Sequence, residues 1–407
     1  MLNVDQHIQY FTQIWLDCPA GFPKFQKGYS PADQKERENR FELLQNKFKK
    51  LKKPAPTEQD YKDTAQSFFP LFREFLEQVF DFEHKHLDTI LSDDFRHVSG
   101  SFFEQARKFG PELTVEDIYQ GLRNLWIMNG LQLIIGVPVK ITPPMFAYSM
   151  IYPYSDNFLD DPNVSINEKI AFSERFFRRL TGEDIVAENF CESQLYKLVE
   201  MIEAYFPRKD YHDVYHSLYA IHQAQTNSLQ LLDNVELTDA DRRAIAFEKG
   251  GTSVLADGFL VAGQLTQEQQ KVLFGYGIYL QLLDDIQDLK EDAASDTDTL
   301  FTSICKDKRQ LLVNKTVHFG QQVVSEFDCF PFCYANDFAG LILHSVEVML
   351  IESVGLSDGW YSVDYIDKMN EYSPLGYTFI KKKSKSKSQR LQLFKKYFET
   401  NRVGLKI

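Results

Sequence analysis

The chain has 407 residues, 43% hydrophobic and 14% aromatic, which supplies a large core and allows one large domain or two or three smaller ones. A net charge of −13 argues against a nucleic-acid binder. The five cysteines (Cys18, Cys191, Cys305, Cys329 and Cys333) are odd in number and mostly scattered, Cys329 and Cys333 lack two further ligands at zinc-like spacing, and no secretory apolar segment follows Met1. Reduced thiols in a cytoplasmic protein are therefore expected.

In chain order, residues 1–60 read as a charged helical extension. Its stretch 24–60 is an exposed helix and linker that ends in a proline break. From about residue 64 the pattern is helical almost throughout. "SFFPLFREFLEQVFDFEHKHLDTIL", "YQGLRNLWIMNGLQLIIG" and "FAGLILHSVEVMLIESV" all place apolar residues at steps of three and four. Strand-like alternation and Asn-Gly hairpins are almost absent. A single all-α domain over residues 61–375, followed by a tail over 376–407, is the simplest account. The tail carries ten Lys/Arg against one Glu. No apolar run reaches the length needed to span a bilayer.

Two acid-rich segments stand out. "YPYSDNFLDDPNVS" places Asp156, Asp160 and Asp161 after an apolar, aromatic stretch, with Asp156 and Asp160 one helical turn apart. "YGIYLQLLDDIQDLKED" places Asp284, Asp285 and Asp288, then Glu291 and Asp292, after residues that read as buried. Like charges at this spacing repel, so the helix has no structural motive for them. Carboxylates about 4 Å apart cost roughly 4 kcal/mol per pair at an effective dielectric of 20, a cost that hard divalent cations with oxygen ligands offset. Each segment read alone is also compatible with a solvated helix end. About 35 residues before the second segment, "FEKGGTSVLADGFLVAG" sets Gly250 and Gly251 in a helical pattern, where they are expected to break or kink the helix.

Taken together, these elements resemble the class I isoprenoid synthases, the family of trans-prenyltransferases, squalene and phytoene synthases and terpene synthases. "GYGIYLQLLDDIQDLKED" resembles their second aspartate-rich motif, and "SDNFLDD" looks like a variant of the first, with spacing D-x-x-x-D-D. The resemblance covers roughly residues 110–350. It implies a single large helical bundle around a central active-site cavity. It also implies magnesium, as a trio of ions assembled with the diphosphate of a prenyl substrate and held by Asp156, Asp160, Asp161, Asp284, Asp285 and Asp288. Lys249 falls at the helix break that the family places beside the scissile diphosphate. Lys249, Asp156 and Asp284 are the expected catalytic residues, and a carbocation would then react among aromatic walls.

Chain-elongating members carry arginines soon after the first motif. Here Arg178 and Arg179 come too late for that role, which favours a terpene synthase acting on one prenyl diphosphate. Elongating or head-to-head prenyl transfer stays as the alternative, and a homodimer is left open. Outside this family, a di-metal carboxylate bundle would need Glu-x-x-His pairs that "EHKH" and "HSVEVM" do not supply, and a non-catalytic helical scaffold would use both acidic segments as solvated faces. For the basic tail three readings stand: a solvated end, a lid over the site, or a peripheral contact with an anionic membrane, in which "LQLFKKYF" adds a short apolar face.

Overall fold

The computed structural model describes residues 3–51, 58–159, 161, 163–232, 236–330 and 334–384. Among them there is no strand, and the chain is all-α. The first helices are α1 (Val4–Asp17), α2 (Pro31–Lys50), α3 (Glu58–Phe80), α4 (His84–Ile90) and α5 (Asp93–Phe109). The central run is α6 (Val115–Ile135), α7 (Pro143–Leu159), α8 (Ile166–Leu180), α9 (Phe190–Tyr205) and α10 (His212–Ser228). It continues through α11 (Asp239–Ala262), α12 (Gln267–Gln287), α13 (Leu289–Ala294) and α14 (Lys306–Ser325), and closes with α15 (Tyr334–Leu356), α16 (Val363–Asn370) and α17 (Tyr377–Ser384).

Local sequence explains many of the helix starts. Ser30, Thr114, Ser165, Thr238 and Thr266 each accept from the backbone N–H three residues on, and the residue there (Asp33, Asp117, Glu168, Asp241, Gln269) reaches back to the cap N–H. This reciprocal pair satisfies two donors that a helix start otherwise leaves open. α11 lies along α12 as the most extensive helix pairing, with α10, α6 and α7 against α11 and with α14 and α15 against α12.

The first helix belongs to the core rather than to an appendage. Phe11 stacks on Phe274 and meets Phe319 edge-on, and Trp15 meets both Phe247 and Phe319 edge-on. Beyond α1, residues 18–30 run as an extended strap across α14. Asn314 Nδ2 donates to Ala20 O (2.9 Å), and Gln321 Nε2 donates to Lys24 O (3.2 Å). The lysines that open the basic tail are tied down as well: Lys381 pairs with Asp358 (2.6 Å) and Lys383 with Glu42 (3.1 Å). The remaining tail residues, 385–407, lie outside the described residues.

One segment, Asp337–Leu356 of α15, is long and apolar enough by length and composition to cross a membrane, with mean hydropathy 1.5. The sequence expectation of no such run is corrected here. Half of that segment is buried inside the protein, including Leu350 and Val354 at 0% exposure.

Between α8 and α10 the His222 ring stacks on Phe177 (5.4 Å between centroids) and meets Phe176 edge-on (5.5 Å). Burial holds its imidazole down at about 4. A histidine whose folded pKa is depressed contributes stability above its unfolded value, near 6.5, and loses it as pH falls toward 4. Over that window the loss is at most about 3 kcal/mol at 1.36 kcal/mol per unit. We therefore expect His222→Gln to flatten the acid limb: urea titrations at pH 7 and 4.5 should differ less for the variant than for the wild type. Equal differences would assign the acid sensitivity to other groups.

Candidate functional site

α12 runs through buried Tyr276, Ile278, Tyr279, Leu282 and Leu283 before it reaches its acidic end. There Asp284 faces solvent, Asp285 is 8% exposed and Asp288 is half-buried. The chain bends at Asp288, yet the helical hydrogen bonds continue: Asp288 N–H donates to Asp284 O (2.9 Å) and Asp292 N–H to Asp288 O (2.8 Å). Asp284, Asp288 and Asp292 therefore stand one turn apart on one flank, across the bend.

The carboxylates act on one another. Burial pushes Asp285 up to about 7; Gln281 Nε2, which donates to it at 2.8 Å, pulls it down, and Asp284 adds to the rise. Burial likewise pushes Asp292 up to about 6, with Asp288 and Asp284 adding to it. In both cases Lys249 opposes the rise, which places this cation within electrostatic reach of the cluster.

Lys249 lies on α11 immediately before Gly250 and Gly251, and here the structure differs from the expectation. α11 is unbroken from Asp239 to Ala262. The glycines serve close approach instead. A Cβ on Gly250 would stand 2.4 Å from Gly277 O, and one on Gly277 would stand 2.0 Å from Gly250 O. The roughly 1 kcal/mol propensity cost of Gly250 is offset by a backbone-to-backbone crossing, and a Cβ on Gly251 would stand 2.4 Å from the Phe274 ring.

The first acidic segment ends α7. Asp156 accepts from Gln120 Nε2 of α6 at 2.6 Å and from Ser155 Oγ at 3.2 Å. Asp161 is taken up by its own turn: its Oδ1 accepts from Asn163 N–H and Nδ2, both at 2.8 Å, and these bonds hold its carboxyl below the usual range. Asp160 lies outside the described residues. Arg178 is exposed and paired with Glu183, and Arg179 makes a two-pronged contact with Glu203 at 2.8 and 2.7 Å, so both serve ion pairs.

Helix register relates the segments. Asn124 Nδ2 of α6 touches both Ser149 Oγ of α7 (3.3 Å) and Asp257 Oδ1 of α11 (3.2 Å), and Tyr152 of α7 meets Ser253 of α11 at 3.1 Å. Asn124 bridges Ser149 to Asp257 while Tyr152 meets Ser253 directly, an order of contacts that runs in opposite senses along α7 and α11. Asp156 lies one turn beyond Tyr152 and Lys249 one turn before Ser253, each about 6 Å along its helix in the same direction. The end of α7, Lys249 and the acidic end of α12 thus share one end of the bundle.

Deeper at that contact sits a group that the sequence reading missed. Asp257 is fully buried, its Oδ2 has no hydrogen-bond partner among the described residues, and burial pushes its carboxyl well above the ordinary range. The hydroxyls of Tyr148, Tyr152 and Tyr276 lie in its field. The available signal was a lone acid inside the apolar run "SVLADGFLVAG".

Among the described residues no three His, Cys, Asp or Glu side chains converge as a metal-holding group. The donor chemistry on α12 nevertheless fits a hard divalent cation: an all-carboxylate set, self-repelling, with Lys249 as the cation that opposes its pKa rises. Cavities of about 340 and 260 Å³ lie at the start of α10 and beneath the strap, and no described residue of either acidic segment lines them. No protein-family model matches the chain, and no curated protein matches it.

Proposed function

We propose that the protein is a magnesium-dependent class I isoprenoid synthase that ionises a prenyl diphosphate as a terpene synthase. The observation that carries this reading is the self-repelling stack Asp284–Asp285–Asp288–Asp292 at the end of a buried helix, facing Lys249 of the neighbouring helix at one end of an all-α bundle. Asp284, Asp285 and Asp288, with Asp156 and Asp160 of the other segment, would hold the metal. When bound, magnesium supplies Lewis-acid polarisation of the diphosphate oxygens. Lys249 adds a fixed positive charge where negative charge grows as the carbon–oxygen bond breaks and the leaving group takes the bonding pair. Tyr148 and Tyr152, one to two turns deeper along α7, present aromatic rings toward the interior, where ring faces stabilise a cation and exclude water.

Incubation with magnesium and prenyl diphosphates of about ten to about thirty-five carbons, reading pyrophosphate release and hydrocarbon products, tests the proposal. No release with any chain length, together with no magnesium-dependent binding of pyrophosphate, would leave a helical scaffold. A finer expectation concerns Lys249. Lys249→Met should lower kcat by about 10²–10³-fold, the usual cost of removing one charge-stabilising group, with KM changed far less. A rise in KM alone would make Lys249 a binding residue.

A further inference from the structure

A second site lies apart from the acidic end. The strap of residues 18–30 covers a cavity of about 260 Å³ between the turn at Asp81, α4 and α15. We propose that this cavity binds a small organic ammonium compound, its charged head on Glu347 and its hydrocarbon body against Phe25, Tyr372 and Ile351.

The case begins with Glu347. It is 5% exposed, and its contacts are long: Gln26 N–H at 3.3 Å and Gln321 Nε2 at 3.4 Å. No cation pairs with it among the described residues. The nearby cations are already committed, since Lys27 and Arg37 both bond Asp81, at 2.9 and 2.8 Å, and Tyr29 Oη donates to the same carboxylate at 2.7 Å. A buried carboxylate without a counter-charge is costly unless something with strong donors reaches it.

The two histidines of the cavity add an acceptor at His344 and an unpaired ring nitrogen at His86. His86 is 4% exposed and its Nδ1 has no partner among the described residues. The Phe80 carbonyl can only accept, so His344 donates to it from Nε2 (2.7 Å) and its Nδ1 carries a lone pair. The inner wall therefore offers two acceptors, the Glu347 carboxyl and His344 Nδ1. An anion would meet Glu347, and a neutral apolar molecule would leave Glu347 and His86 unsatisfied. A bare metal ion would leave the apolar side formed by Phe25, Tyr372, Val348 and Ile351 without a partner. What remains is a monovalent cation rich in N–H donors.

The rest of the cavity defines the body of that cation. Phe25 and Tyr372 hold their rings 5.1 Å apart, and Val348 and Ile351 complete an apolar side. Aromatic faces beside an ammonium add cation–π attraction. The volume is below the roughly 300–1,000 Å³ of drug-sized sites, which limits the ligand to a compact amine. Glu83, largely exposed, stands at the rim and draws cations toward the mouth.

The test uses the full-length protein and four probes at matched ionic strength: butylammonium chloride, 2-phenylethylammonium chloride, butan-1-ol and sodium butanoate. The expected result by calorimetry is saturable binding of both ammonium salts below about 1 mM, with the alcohol and the carboxylate at least tenfold weaker. Glu347→Gln should weaken the ammonium salts at least tenfold with unchanged far-ultraviolet circular dichroism. Should that variant fail to fold, Val348→Phe, which fills the cavity from a half-buried position, must abolish binding instead. Absence of saturable binding to about 20 mM, equal binding of butan-1-ol, or undiminished affinity in the variant that folds would overturn the proposal. None of these readouts involves prenyl diphosphate, so the site stands or falls independently of the activity proposed above.

Discussion

Gly277→Ala should cost the protein about 3 kcal/mol or more, enough to consume much of the margin of an ordinary domain. The new methyl would stand 2.0 Å from Gly250 O and 2.7 Å from Gly250 C, and both are backbone atoms that cannot rotate aside. Relief requires α11 and α12 to separate, and they form the most extensive helix pairing in the bundle. Separation would also loosen the partners on either side, because α10 packs on α11 and α14 on α12. Gly359→Ala is the control, since no atom of the described residues beyond its chain neighbours lies within 4 Å of its Cβ position. That substitution should be neutral or stabilising by up to about 1 kcal/mol, through a less flexible unfolded chain. Urea midpoints of the two variants decide the matter. Similar midpoints would show that the crossing adapts cheaply.

The second large effect separates activity from stability. Asp284→Ala and Asp288→Ala should each lower pyrophosphate release from a prenyl diphosphate by about 10³-fold or more, in line with the loss of a group essential to charge stabilisation. The same substitutions should leave the metal-free protein as stable as before or more so, because each removes a charge that raises Asp292, and Asp284 also raises Asp285. Thermal melts with and without magnesium pyrophosphate read both consequences. The wild type should gain stability on addition of the ligand by mass action, and the variants should not. A variant that keeps near-native turnover at saturating magnesium would return the acidic segment to the role of a solvated helix end. The corresponding Asp156→Ala change should also remove turnover and, in addition, free Gln120 from its 2.6 Å contact.

The helical class was legible because periodic apolar residues need only local geometry to be read. The acidic stack was legible for the same reason, as Asp284, Asp288 and Asp292 are neighbours along one helix. Gly250 and Gly251 were misread as a break because propensity describes an isolated helix, whereas their roles depend on Gly277 and the Phe274 ring, which tertiary contact brings to them. Asp257 escaped notice for a related reason. Its environment is assembled from Asn124, Tyr152 and Tyr276 on three other helices. The cavity around Glu347 joins residues 25–29 to residues 344–372, a pairing that no local pattern encodes.

The placement of α1 has a consequence for how the chain reaches this state. Phe11 and Trp15 find their partners at Phe247, Phe274 and Phe319, and Asn314 holds Ala20 across 294 positions of sequence. During synthesis these first aromatic residues leave the ribosome long before the surfaces that bury them exist. Closing so long a loop carries an entropic toll that local helix formation cannot share. Phe11 and Trp15 therefore stay without these partners until Phe319 has been synthesised.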